Sequence, residues 1–443
     1  MSETIAVQII IPVHNAASTI VETVQSALRQ QSCPTWNIEI HVCCFDDGST
    51  DDSWDLLQSL QQEITNDTMI SATLHLERHE MSRGAGYARN RAVDMYASSQ
   101  KTILCWLDAD DRMMPTRVAE QVDYLMQLPN DEQSRTLLGC QFTRDPPEAT
   151  WHYTQWANSL SDERLWLEQF REVTIIQPTW MMWKSRFHEF GGYIEAPLPE
   201  DPLPALVDPT FETPQTLRLA EDLRFFYTHI QHDGLLKVVR KPLVVYRHVP
   251  GQSQSSATPR KLLLRIRVGA FSQSVLRQAW NVGSDPQTYF CIWGAGRDGK
   301  DFYKALTPEL QARVYCFADV DDQKIINIQH YMNIPIVHFS LLAHNAETRN
   351  QLHQAWCEQD DSREGRIDKG RPLSSIKIAT TELTEPPLKK QRLTYLGKSK
   401  LDMTLLSQLP VVVCVAMYRT NGALECNVRS IGRTEGKDLW FFN

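Results

Sequence analysis

No stretch of this chain approaches the roughly 18 uninterrupted apolar residues that a membrane-spanning helix requires, so an embedded protein is not expected. Positive charge is not in excess: 45 Lys+Arg stand against 54 Asp+Glu, a net charge of −9. That balance argues against a general nucleic-acid binder and suits an acidic cleft neutralised by a metal ion. The opening MSETIAVQIIIPVHN has no basic n-region, and its apolar run is too short for a signal or an anchor. Ten cysteines occur without CxxC pairs or metal-ligand spacing. Cys43, Cys44, Cys105, Cys291, Cys316 and Cys414 lie in strand-like runs, where a reduced thiol behaves as a small hydrophobe. A soluble protein of a reducing, cytoplasmic compartment is expected, and no internal repeat is visible.

What is present is an alternation of strand and helix over 443 residues, more than one core usually serves. VQIIIPV, IEIHVCCF, SATLHLE and TILCWLD read as strands of a doubly wound, mostly parallel sheet. Between the first two, Ser18 is positioned to cap a helix whose stripe is Ile20, Val21, Val24, Ala27 and Leu28. The expected domains are an α/β unit over 1–258, a helical linker over 259–284, and a smaller Rossmann-like α/β unit over 285–443. A polar insert at 357–402 reads as disordered, its PPLKKQR as a solvated basic loop. The six prolines of 195–215 exclude a regular element, leaving a surface connection or a loop flanking a cleft.

Two acidic clusters follow the second and fourth of these strands. CFDDGSTDDSW carries Asp46, Asp47, Asp51 and Asp52; CWLDADDRMMP carries Asp108, Asp110 and Asp111. Ligands of such sheets sit outside the carboxyl ends of the strands. An Asp-x-Asp there suits a hard divalent cation, Mg²⁺ or Mn²⁺, bridging to a substrate's phosphates. RGAGYARNRA supplies Arg83, Arg89 and Arg91, able to pair with phosphate or with these carboxylates.

The ordered series IIIPVHN, DDGSTD, RGAGYARN, LDADD, GGY, EDL and YRH resembles the family 2 glycosyltransferases of GT-A fold over residues 5 to about 255. The resemblance implies that Pro12, Val13 and Asn15 line a nucleotide pocket and that Asp47 accepts from uracil. It implies that Arg89 supports the base or diphosphate, that Asp108 faces the ribose, and that Asp110 binds the metal. His248 completes the metal shell or touches the diphosphate. Asp222 falls at the catalytic base, with Glu221 binding the acceptor or orienting Asp222. A carboxylate is needed there because an acceptor hydroxyl is a poor nucleophile. The implied reaction is an inverting transfer from a UDP-sugar donor, N-acetylglucosamine being the implied sugar, to an unidentified glycan, protein or lipid acceptor. A single transfer is expected, since QPTWMMW replaces the Q-x-x-R-W motif of processive members. Trp180 and Trp183 stack on an acceptor sugar or pack in the core. The alternative from another class is a catalytically silent nucleotide-sugar-binding scaffold.

In the second unit, Gly294, Gly296 and Gly299 form G-A-G-R-D-G between a strand and a helix, and Asp319 ends the next strand. Two readings stay open: a second nucleotide site, NAD(P) included, or a turn kept for packing in a docking or regulatory module.

Overall fold

The computed structural model describes residues 4–64, 70–96, 101–198, 219–248, 258–358, 401–416 and 421–442. Most of the proline-rich 195–215 stretch, the serines after His248, and nearly all of the 357–402 insert with its PPLKKQR lie outside the described residues. Two compact units form: Met1–Trp166 with Val173–Ile266, and Leu167–Glu172 with Arg267–Asn443. The second unit resumes at Arg267. The segment Leu167–Glu172 joins the second unit for a packing reason: Phe170 sets its ring edge-on to Phe271 at 5.0 Å and to Trp440 at 5.5 Å.

The first unit is a mixed, mostly parallel sheet with helices between its strands, as expected. In chain order its main elements are β1 (Thr4–Val13), α1 (Ile20–Leu28), β2 (Asn37–Asp47), α2 (Ser53–Ile64), β3 (Thr73–His79), α3 (Ala85–Asp94) and β4 (Thr102–Trp106). There follow β5 (Arg112–Met113), α4 (Arg117–Gln127), β6 (Thr136–Asp145), β7 (Met181–Trp183), α5 (Glu221–Gln231) and β8 (Leu235–Arg247). Strand order is β3-β2-β1-β4-β7-β6-β8-β5. β1 lies centrally, parallel to both β2 and β4, and its Val7, Ile9, Ile10 and Ile11 are wholly buried, as a strand covered on both faces demands. The one polar residue in that run, Gln8, is satisfied: its amide donates to Ala92 and Val93 carbonyls and accepts from Lys184 Nζ at 3.1 Å.

Helix α1 departs from expectation at its start. Ser18 does not cap it; Thr19 occupies the cap position without a side-chain cap bond. The Thr19 and Thr23 hydroxyls instead both donate to the Ala109 carbonyl at 2.9 Å. These hydroxyls pin the loop that carries Asp108 and Asp110 to the first helix.

The second unit holds β9 (Phe290–Trp293), α6 (Arg297–Ala305), β10 (Val314–Asp319), β11 (His330–Tyr331), β12 (Ile334–His338), α7 (Ala346–Cys357), β13 (Val411–Val413), α8 (Ala423–Ser430) and β14 (Leu439–Phe441). Its sheet order is β11-β12-β10-β9-β13-β14. The ten thiols are free, eight of them buried, in keeping with their reading as small hydrophobes. Among the described residues no helix is long and apolar enough to cross a membrane.

Candidate active site

The acids after β2 hold the chain itself. Asp46 is wholly buried against Arg78 Nε at 2.9 Å. Asp51 accepts from the Ala17 and Ser53 amides at 3.0 Å each. Asn15, in the left-handed region at φ 51°, accepts from Thr50 N at 2.8 Å, while its own amide donates to Ser49 Oγ at 2.9 Å. The turn after β1 is therefore clasped to the turn after β2. Beneath this clasp Pro12 is half-buried, and Val13 packs into the core.

Asp47 corrects the sequence reading. Its carboxylate accepts from Arg83 N at 2.9 Å, Gly84 N at 2.7 Å and Ser82 Oγ at 2.8 Å. Amides entering a helix have no intrahelical acceptor, and this acid is the partner they find. At 2 % exposure it shapes the loop into α3 and is not presented to a uracil ring. Gly48 makes the approach possible. Its φ is +70°, and an added Cβ would lie 2.7 Å from Ser82 N. Gly48→Ala is expected to cost about 1–3 kcal/mol, from a left-handed non-glycine residue and a displaced loop. Chemical denaturation checks this; an unchanged unfolding midpoint would refute the close approach.

The acids after β4 are different. One carboxylate oxygen from each of Asp108, Asp110 and Asp111 lies within 4.8 Å of the others. Asp111 is wholly buried; one oxygen accepts from Arg247 N at 2.8 Å and the other has no partner among the described residues. Asp110 has no side-chain partner among the described residues. Burial, then the charge of Asp108, pushes the Asp110 carboxyl up to about 6. Asp111 is raised further by burial and by its two neighbours. Three hard oxygen donors, one orphaned and two reluctant to ionise, fit Mg²⁺ or Mn²⁺, which would repay the repulsion they now suffer. Sequence reasoning missed what Asp111 does. It anchors the end of β8 to the cluster, a link between residues distant in sequence.

Arg89 joins this cluster to the next. Its guanidinium donates to Asp108 Oδ1 at 2.7 Å and to Glu221 Oε1 at 3.0 Å. It is therefore committed to carboxylates, not held free for a base or diphosphate as the resemblance implied, and Asp108 is likewise paired. Arg91 is also engaged, with Glu195 at 3.1 Å. Arg83 makes no ion pair among the described residues; it lies over the Tyr87 ring at 4.2 Å. Helix α3 can approach α5 because residue 86 is glycine: a Cβ there would sit 3.0 Å from Glu221 Cγ.

Glu221 and Asp222 open helix α5, preceded by Ala220 in the left-handed region at φ 49°. Asp222 accepts from Leu223 N at 2.7 Å. Burial, then the Glu221 charge, raises its carboxyl to about 6. The two acidic groups are thus coupled through one arginine, each holding an acid of raised pKa, a pattern typical of acid–base sites.

The remaining expectations fare less well. Trp180 is wholly buried, its indole N–H donating to the Ile175 carbonyl at 2.8 Å and its ring stacked near Phe226. It is a core residue, and no sugar reaches it. Trp183 is half-buried against the same unit's core. His248 is exposed, its backbone amide bonded to the Asp145 carbonyl, and it does not join the acidic cluster. Arg247 does approach: it pairs with Glu22, to which Arg112 also bonds at 2.9 Å. In the second unit, Gly294 and Gly296 lie in the turn from β9 into α6 and Gly299 in the first turn of that helix, and Asp319 accepts from Ala295 N of the turn.

Comparison with known proteins adds a family. Residues 8–190 match the family model for glycosyl transferase family 2. This stretch is a family 2 glycosyl transferase domain. A stretch of 119 residues is 34% identical to the UDP-Glc:alpha-D-GlcNAc-diphosphoundecaprenol beta-1,3-glucosyltransferase WfaP of Escherichia coli, covering 27% of this chain and 41% of that protein. A match of 112 residues, 35% identical, is to the succinoglycan biosynthesis protein ExoU of Rhizobium meliloti, covering 25% of this chain and 28% of that one. The chain thus spans less than half the length of the curated relatives it matches. Among solved structures, S. aureus TarS 1–349 in complex with UDP-GlcNAc is 17% identical, with a TM-score of 0.42, covering 70% of this chain and 84% of that one. The transferase domain contains the metal-type cluster and Arg89; Glu221 and Asp222 lie beyond the matched residues.

Proposed function

We propose that the first unit transfers a sugar from a UDP-sugar to an acceptor hydroxyl, with a divalent cation, in one inverting displacement. The observation that carries this reading is the Arg89 bridge, which joins Asp108 of the aspartate cluster to Glu221 of the acidic pair. Asp110 and Asp111 would hold Mn²⁺ or Mg²⁺, and such a cation neutralises the charge of a departing diphosphate. Arg83, which makes no ion pair among the described residues, is a basic group placed to meet that diphosphate. Glu221, fixed by Arg89, sets the start of α5 so that Asp222 takes the hydroxyl proton as attack proceeds. N-acetylglucosamine rests on resemblance, and a glucosyl relative shows that the family admits other sugars.

Asp110→Asn tests the metal assignment with a sign that a merely structural acid would not give. The folded-state value near 6 exceeds the reference 3.8. Stability from the protonated form is full below pH 3.8 and is lost as pH rises through about 6. At pH 7 the metal-free variant should therefore be more stable than the parent, by about 1–3 kcal/mol. UDP with Mn²⁺ should raise the Tm of the parent and not of the variant. Equal gains in both would overturn the metal site.

A further inference from the structure

We infer that the second unit carries its own binding site for a nucleotide phosphate, on the turn from β9 into α6. This site is independent of the transferase reading. Chain order supplies the place. From β9 the sheet runs to β10 on one side and to β13 on the other, so the crevice at their carboxyl ends lies where strand order reverses. A cavity opens there, lined among others by Gly296, Lys324, Val415, Leu424 and Asn427.

The turn is built for close approach. Gly294 has φ +118°. Gly299 permits helix and strand to touch, since a Cβ there would lie 1.8 Å from the Gly294 carbonyl oxygen. Neither glycine needs a ligand to explain it. Packing does not dictate Gly296, at the N-cap of α6: an added Cβ there would meet only Lys324 Nζ, at 4.0 Å. Space is therefore kept open above the one glycine that packing does not require.

The polar groups around that space point the same way. Asp319 does not face the cavity as a free ribose acceptor. One oxygen accepts from Ala295 N at 2.8 Å and from Lys324 Nζ at 2.7 Å, and the other from Val320 and Asp321 amides. It fixes the turn and, with Asp321 at 3.9 Å, holds the Lys324 ammonium at the cavity's edge, where a phosphate would have to share it with these carboxylates. Asn427, on α8, lines the cavity at 7 % exposure, and its side chain has no partner among the described residues. Helix amides, an ammonium and a carboxamide suit a phosphate. Val415 and Leu424 give an apolar surface for the rest of a nucleotide.

The test uses the full chain carrying Asp110→Ala, in EDTA, so that the donor pocket is silent and its failure is scored separately. Calorimetric titration with ADP, UDP, NAD⁺ and inorganic phosphate should find at least one nucleotide that binds. Gly296→Ala has room in the free protein and should leave its Tm unchanged. It should nevertheless weaken the nucleotide about tenfold or more, as should Lys324→Met and Asn427→Ala, each removing one polar contact to the phosphate. No binding by any probe at millimolar concentration, or binding equal in all three variants, would overturn the site. Inorganic phosphate binding as tightly as every nucleotide would overturn the nucleotide assignment.

Discussion

Asp222→Asn should leave donor binding intact and lower kcat by about 10²–10⁴-fold, the range for loss of a positioned general base. The substitution is nearly isosteric, and the carboxamide oxygen still accepts from Leu223 N. What disappears is the basic lone pair. The pH profile separates this role from a packing role. Burial and the Glu221 charge hold the carboxyl at about 6, so the parent's kcat should fall as pH drops through that value. The residual rate of the variant should lack that acid limb. A variant with near-parental kcat would remove Asp222 from the chemistry and turn attention to Glu221.

Arg89→Met should have the second large effect, on both folding and turnover. Arg89 is 8% exposed at its side chain, while Asp108 and Glu221 are 27% and 15% exposed. Removing the cation leaves two carboxylates facing each other with no compensating charge. Breaking a buried ion pair from one side costs about 3–5 kcal/mol. For a unit of this size each kcal/mol is worth roughly 2–4 °C in Tm. Adding Glu221→Gln to Arg89→Met should recover part of that stability, because one of the stranded charges is gone. It should not recover activity, because the acid that orients Asp222 is gone as well. Additive losses in the double variant would show that Arg89 and Glu221 do not act together.

Much of this site was legible because its signals are local. The aspartates after β4 announce themselves by spacing alone: three acids at a strand end have few uses other than a cation or a cap. The Glu221–Asp222 pair likewise stands at a helix start that the chain marks plainly. Legibility failed where one residue type has two physical uses. Asp47 read as a ligand acid, yet backbone amides entering α3 take it. Trp180 could stack on a sugar or fill a core, and only its complete burial decides between these. Ser18 was a sensible cap by type. The hydroxyls of Thr19 and Thr23 matter more, because they hold the Ala109 carbonyl, which no local pattern reveals.

By itself, the sequence determined the alternation of strand and helix, the buried central strand, and the placing of acids at strand ends, since periodicity and residue type act over a few neighbours. Tertiary structure decided which acids are spent and which are free. Arg89 meets Glu221 across 132 residues, and Asp111 meets the Arg247 amide across 136. Such pairings follow from strand order and from glycine at position 86, and they turn separate acidic stretches into one electrostatic unit.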